Sequence, residues 1–332
     1  MTVEASLSAS AEGRDARAQV ALARDLLSAS DGTKEDFLRA LALVEAASAA
    51  GEPEATNMLA LFEAMGIGRP QSWERAFDTL RLAAEQGSVS AQEQLNFLWN
   101  ASSDVQADAR TSPASWSDKR KALSLDRLLR HPERRALCDK PRVRIIEGFA
   151  SAAECRWLID RARSRLKSAL IFDAEGRQIV DPGRTNRGTE FQLLDMDLVI
   201  EMIRARISAA IRVPVPVFEP MQILHYSPGQ QFKEHFDFLD PANAHHQEQM
   251  RKNGQRIATF LVYLNDDFEG GATEFPEIAL RYRGNTGDAL FWANCDMEGR
   301  PDRLTRHAGL PPTSGEKWIL SQWIRDRSPS SR

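Results

Sequence analysis

The sequence predicts two domains of different class. Residues 1–100 read as an all-α helical repeat, and residues 136–328 read as an α+β domain whose strands form a β-sandwich or jelly roll with flanking helices. Three observations carry this. The first hundred residues are rich in Ala, Leu, Glu and Arg, which favour helix, with no strand-like alternation. They repeat themselves at a fixed interval. After Pro214 the chain breaks into short aromatic or β-branched runs separated by Gly, Pro or Asn.

The interval is 36 residues. It relates Phe37 to Trp73, Arg39 to Arg75, Ala40 to Ala76, Ala47 to Ala83, Gly51 to Gly87, Ala55 to Ala91 and Leu59 to Leu95. A period of this size marks a helical solenoid, in which each helix pair needs its neighbour to bury its apolar face. The alanines allow close approach of the helices, and each Gly is placed to end a helix with φ > 0. Over residues 18–100 the text AASAAGEPEATNMLA and RLAAEQGSVSAQEQLN resembles the Sel1-like branch of the tetratricopeptide superfamily. That resemblance implies a surface for protein partners; a purely stabilising helical cap is the competing reading.

Residues 101–135 are expected to form a linker with a short helix. NASSDVQADARTSPASWSD is rich in Ser, Ala and Asp, and KRKALSLDRLLRH carries Leu123, Leu125, Leu128 and Leu129 as an apolar set. In the second domain RVRIIEGF reads as a strand. Ser151 and Glu154 have capping-box spacing ahead of a helix over 152–166, and a second helix covers about 196–211. Both helices are expected to pack on one sheet. MQILHYS, FKEHFDFL, IATFLVYLN, TEFP, ALRYR, DALFWAN and KWILSQWI are the strands, and PANAHHQEQM is a polar loop.

The chain has 332 residues, 42% hydrophobic and 27% charged, with a formal net charge of −4. No global basic field draws it to nucleic acid, and no run approaches the roughly 18 apolar residues of a membrane span. Neither nucleic acid nor membrane is therefore an expected partner. Three cysteines, Cys138, Cys155 and Cys295, form no CxxC pair, and the N-terminal residues hold no apolar signal core. The expected location is cytoplasmic.

The chemistry centres on His235-Phe236-Asp237 in a strand-like stretch. Side chains at i and i+2 of a strand share a face, so an imidazole and a carboxylate enter one pocket. A second histidine would complete the two-His-one-carboxylate set of non-haem Fe(II) oxygenases, with positions left open for cosubstrate and O2. Of the six histidines, His131 lies in the connector, His225 stands ten residues upstream, and His245 and His246 fall in the polar loop. His307, followed ten residues later by Lys317 at the start of a strand, is the best third ligand. A buried lysine there needs an anion.

The segment from Tyr226 to Trp323 resembles the prolyl 4-hydroxylase family of Fe(II)/2-oxoglutarate oxygenases. YSPGQQFKEHFD, RIATFLVYLND, EGGATEF, GDALFW and HAGLPPTSGEKWILSQW occur in the family's order and spacing. The resemblance implies a double-stranded β-helix and a need for Fe(II), 2-oxoglutarate and O2, with ascorbate a further candidate. It places the iron ligands on His235, Asp237 and His307, and the cosubstrate contacts on Lys317, Tyr226 and Thr273. It puts Arg256 and Trp323 beside the substrate, and DPGRTNRGTEFQL, around Arg184 and Thr185, over the cleft as a lid. Phe232 departs from the family, where a tyrosine three residues before the first ligand contacts substrate. The expected activity is hydroxylation of a prolyl or other residue in a protein or peptide docked partly by the repeats, giving succinate and CO2. A free amino acid or other small molecule as substrate is one alternative. A silent interaction scaffold is another, against which the complete ligand set with Lys317 argues.

Overall fold

A computed structural model describes residues 15–29, 32–102, 115–169, 171–172, 178–179 and 181–328. The chain divides into two compact units. One is Met1–Arg130 with Leu193–Arg206, and the other is His131–Gln192 with Ile207–Ser331.

The helical unit contains Ala16–Ser28, Lys34–Ala49, Pro53–Met65, Trp73–Glu85 and Val89–Ser102. Local sequence sets their ends. Thr33 and Asp36 form a capping box, Pro53 occupies the first turn of its helix, and the Ser72 hydroxyl accepts from the Arg75 amide. Gly51 and Gly87 follow their helices at φ 87° and 99°, a conformation glycine adopts without the Cβ penalty. The 36-residue relation is a relation of burial. Ala40, Ala76, Ala47, Ala83, Ala55 and Ala91 are all fully buried.

The connector helix read over 119–131 is two short helices, Trp116–Ala122 and Leu125–Leu129. The Ser124 hydroxyl starts the second by accepting from the Arg127 amide. The linker residues 103–114 lie outside the described residues. The helix expected over 196–211 spans Leu198–Ile211, and through Arg206 it groups with the helical unit. Its polar groups explain the placement. The Leu198 amide donates to Gln94 Oε1 (2.8 Å), and Arg206 Nε donates to the Leu128 carbonyl (2.8 Å). Glu201 and Arg204, both buried, pair at 3.0 Å.

The second unit is strand-rich. Its strands are β1 (Arg135–Cys138), β2 (Val143–Ile146), β3 (Lys167–Ser168), β4 (Ile171–Phe172), β5 (Gln178–Ile179) and β6 (Arg187–Phe191). There follow β7 (Met221–Tyr226), β8 (Phe232–His235), β9 (Arg256–Tyr263), β10 (Glu269–Gly270) and β11 (Thr273–Phe275). The last are β12 (Leu280–Tyr282), β13 (Ala289–Ala293), β14 (His307–Gly309), β15 (Pro312–Ser314) and β16 (Lys317–Arg325). An eight-stranded sheet runs β1-β2-β13-β9-β16-β7-β6-β3, and a four-stranded sheet runs β12-β11-β14-β8. Every pairing given for these two sheets is antiparallel. Leu224, Tyr226, Leu261, Tyr263, Phe275, Trp292 and Ile319 from both sheets form one core, as in a jelly roll.

Two helices frame this sandwich. Ala152–Arg163 opens with the expected capping box: the Glu154 amide donates to Ser151 Oγ (3.2 Å) and the Ser151 amide to Glu154 Oε2 (2.8 Å). The stretch read as a polar loop around His245 and His246 is instead a helix, Ala244–Asn253. Asn243 caps it by accepting from the His245 and His246 amides, and Gly254 at φ 79° ends it. Its length was hidden because its exposed faces are almost wholly polar.

Candidate metal centre and cosubstrate pocket

His235 closes β8 and His307 opens β14, and the two are direct cross-strand partners. Asp237 lies just beyond the end of β8 rather than within it. The three residues bring one ligand atom each to within 4.8 Å of one another. His235 Nε2 stands 3.6 Å from Asp237 Oδ1, and His307 Nε2 stands 3.5 Å from Asp237 Oδ2.

Backbone carbonyls set the imidazoles. His235 Nδ1 donates to the Lys233 carbonyl (2.7 Å) and His307 Nδ1 to the Thr305 carbonyl (2.9 Å). With the proton on Nδ1, each Nε2 is the ring nitrogen available to a metal, the tautomer a metal ligand requires. Burial and the neighbouring His235 push the His307 pKa down to about 4, which keeps it neutral. Burial alone would raise the Asp237 carboxyl. The imidazoles of His307 and His235 and the Thr259 hydroxyl outweigh it and hold the group below the usual carboxylate range. Thr259 Oγ1 donates to Asp237 Oδ2 (2.6 Å), and Asn294 Nδ2 donates in turn to Thr259 Oγ1 (3.0 Å). Two imidazoles and one carboxylate on one side of a pocket fit a divalent iron with open positions.

Lys317 faces Tyr226 across the β16–β7 pairing and is only 2% exposed. Burial alone pushes its pKa down to about 7; no acidic neighbour contributes. Its Nζ lies 5.0 Å from the Tyr226 ring centre and 5.5 Å from that of Tyr263. Tyr226, Thr273 and Lys317 line one cavity with His235, Asp237 and His307. Gly271, at φ 63°, admits the turn that precedes Thr273; a Cβ there would stand 2.8 Å from the Phe268 ring. The Thr273 hydroxyl also meets Tyr263 Oη (2.9 Å).

A wider cleft of about 1140 Å³ shares His235, Asp237, Phe232, Arg184 and Trp323 with that cavity. Arg256 and Trp323 both line it. The Arg256 guanidinium lies 3.6 Å from the Trp323 ring centre and grips Glu219 through Nε (2.6 Å) and Nη2 (2.8 Å). Glu219, which Arg325 Nε also holds at 2.8 Å, escaped the sequence reading. So did Thr259 and Asn294. The alternation of Thr259, Leu261 and Tyr263 along β9 was the available signal, since it places the threonine on the inward face.

The expected lid is tied down. Residues 187–191 are β6, paired with β7 from Arg187↔His225 to Phe191↔Met221. The Thr185 amide donates to the Gln231 carbonyl (2.9 Å) and the Lys233 amide to the Gly183 carbonyl (2.7 Å). Arg184 stands 4.5 Å over the Phe232 ring, which stacks on His235 at 3.5 Å and 16°. Phe232 thus keeps a wall position beside the first ligand without a hydroxyl.

Comparison with known proteins agrees with this geometry. Residues 221–325 match the 2OG-Fe(II) oxygenase superfamily model. Prolyl 4-hydroxylase subunit alpha-1 of Rattus norvegicus is 36% identical over 138 residues, 41% of this chain and 25% of the relative. A candidate prolyl 4-hydroxylase of Acanthamoeba polyphaga mimivirus is 36% identical over 130 residues, 39% of this chain and 54% of its own length. The chain therefore spans between a quarter and about half of these curated relatives. A viral collagen prolyl hydroxylase from Paramecium Bursaria Chlorella virus-1, solved with 2OG, is 31% identical; the match covers 57% of this chain and 98% of that one, with a TM-score of 0.44. A Sel1 repeat protein from Oxalobacter formigenes is 31% identical over 27% of this chain and 68% of its own, with a TM-score of 0.25. Residues 221–325 are a 2OG-Fe(II) oxygenase domain. Within that class the domain is prolyl 4-hydroxylase-like, and helical repeats precede it.

Proposed function

We propose that the chain is an Fe(II)- and 2-oxoglutarate-dependent oxygenase that hydroxylates a prolyl or other residue in a protein or peptide. The observation that carries this is the buried Lys317 ammonium, with no anionic neighbour among the described residues, in the same cavity as His235, Asp237 and His307. A five-carbon dicarboxylate supplies the missing anion at one end and ligand oxygens at the other.

His235, Asp237 and His307 would hold the iron, and when bound it supplies O2 activation coupled to decarboxylation of 2-oxoglutarate. The protein's own tasks follow from the residues. Lys317 binds the distal carboxylate, and the Tyr226 and Thr273 hydroxyls fix the cosubstrate's angle. Tyr226, whose burial pushes its pKa up to about 12, stays a neutral donor throughout the working range. Asn294 and Thr259 keep the Asp237 carboxylate oriented. Trp292 and Phe275, packed against His307 at 4.6 and 5.7 Å, exclude water from its inner side. Arg256 and Trp323 form the substrate side of the cleft.

The helical repeats belong to the same proposal as a docking module for a protein substrate, and so does a cytoplasmic location. Phe37 and Leu38 are 37% and 54% exposed on the first repeat pair. Replacing both with Glu is expected to weaken turnover of a protein substrate and to spare that of short peptides.

The direct test supplies Fe(II), 2-oxoglutarate and candidate peptides, and follows succinate together with a gain of about 16 Da, one oxygen atom. His235→Ala and His307→Ala abolish both signals. Turnover confined to a free amino acid would sink the peptide reading. Loss of iron binding and turnover in the intact protein would favour the scaffold.

A further inference from the structure

The helix Ala244–Asn253 contributes two polar side chains to the wide cleft, His246 and Gln249, three positions apart on one face. Neither belongs to the metal centre or the cosubstrate cavity. Their hydrogen bonds determine what each offers.

The Asp240 amide donates to His246 Nδ1 (2.9 Å), so that nitrogen carries the lone pair. In the neutral ring the proton therefore sits on Nε2, and His246 is a hydrogen-bond donor. Burial and the neighbouring His245 lower its pKa, which preserves the neutral ring. Gln249 Nε2 meets His245 Nε2 at 2.8 Å, and an amide nitrogen can only donate there. The acceptor Oε1 is the end of the Gln249 side chain left for another partner. The helix thus presents a donor and an acceptor one turn apart.

We propose that this pair recognises the main chain of an extended peptide, His246 Nε2–H donating to a carbonyl oxygen and Gln249 Oε1 accepting from an amide N–H. This rests on the oxygenase reading and names its substrate class. A peptide backbone offers a carbonyl and an N–H at regular intervals, whereas a free amino acid offers charged termini. The cleft, about 1140 Å³, exceeds the roughly 300–1,000 Å³ of pockets that enclose small molecules. Recognition through the main chain also leaves the flanking side chains open, which suits an enzyme acting on more than one sequence.

The experiment uses the full-length enzyme loaded with Fe(II) and a heptapeptide library with central proline and mixed flanks, with free L-proline in parallel. Succinate and oxygen insertion are measured. The wild type is expected to turn over the library. His246→Ala and Gln249→Ala each raise KM for the library about three- to tenfold, the range of one hydrogen bond, and leave kcat and KM for 2-oxoglutarate unchanged. His246→Gln, which keeps a donor near the Nε2 position, recovers most of the loss. N-methylation of the flanking amides raises KM for the wild type and has no further effect in Gln249→Ala. A merely structural role for the helix would not produce that last pattern. Variants indistinguishable from wild type, indifference to N-methylation, or turnover of free L-proline alone would overturn the inference. Succinate formation without turnover of the library would do so too. Absence of both 2-oxoglutarate binding and succinate in the wild type would instead remove the oxygenase reading beneath it.

Discussion

Replacing Lys317 with Met tests the cosubstrate pocket through stability rather than turnover. Met keeps an unbranched side chain one atom shorter and removes the charge. In the fold the lysine pKa falls from 10.5 to about 7 through burial. At 1.36 kcal/mol per tenfold change, that is about 5 kcal/mol against the charged, ligand-free fold. The pH window follows from the direction of the shift. Below pH 7 both folded and unfolded chains carry the proton, and the penalty is complete. As pH rises from about 7 towards 10.5, only the folded protein sheds the proton, and the penalty fades. Lys317→Met is therefore expected to stabilise the ligand-free protein by about 4–5 kcal/mol at pH 6.5 and by less than about 1 kcal/mol near pH 10. The assay is urea unfolding of both proteins, followed through tryptophan fluorescence, with groups common to both cancelling in the difference. At 100 times its Kd, 2-oxoglutarate should add about 2.7 kcal/mol to the wild type and nothing to the variant. A variant less stable than wild type at pH 6.5, or a difference that ignores pH, would refute the reasoning.

Thr259→Val removes the 2.6 Å hydrogen bond to Asp237 and is expected to weaken iron binding about tenfold with little loss of folded protein, as titration of the metal-free protein would show. Gly271→Ala places a methyl 2.8 Å from the Phe268 ring on a backbone at φ 63°. Thermal unfolding should report a loss of about 1–3 kcal/mol, together with a higher KM for 2-oxoglutarate. Arg256→Ala leaves Glu219 still held by Arg325, so the fold should survive while KM for peptide rises; circular dichroism and kinetics separate the two.

The sequence made some parts legible and hid others for physical reasons. His235, Asp237, His307 and Lys317 could be picked out because the motifs around them carry the family resemblance; Asp237 stands beyond β8, so strand alternation alone does not place it. The repeat could be read because burial recurs at the same positions, Ala40 with Ala76 and Ala55 with Ala91. Alternation along β9 puts Thr259 on an inward face, but its bonds to Asp237 and Asn294 join residues 22 and 35 positions away, which no local pattern reveals. The helix Ala244–Asn253 buries no residue fully and so lacks the apolar stripe that periodicity detects. Its signals were the cap Asn243 and the terminating Gly254. Residues 181–193, around Arg184 and Thr185, read as a lid because their Gly and polar content suits a loop, yet 187–191 within them are strand β6. Its strand character comes from β7, whose backbone it satisfies. Glu219 was missed because an acid beside Pro220 carries no sign of the two arginines that meet it.

Strand β8 is the outermost strand of the four-stranded sheet, four residues long, with β14 its one ladder partner there. Its other side is held by a bridge between Arg184 and Phe232 and by the Lys233 amide on the Gly183 carbonyl. Its last residue faces His307 across the ladder, so an ion shared by the two imidazoles is also a clasp between strands. Metal affinity and strand pairing then form a single equilibrium. Each substitution that loosens the edge, even one distant from the ligands, lets the ion exchange faster, and each that tightens it lengthens the ion's residence.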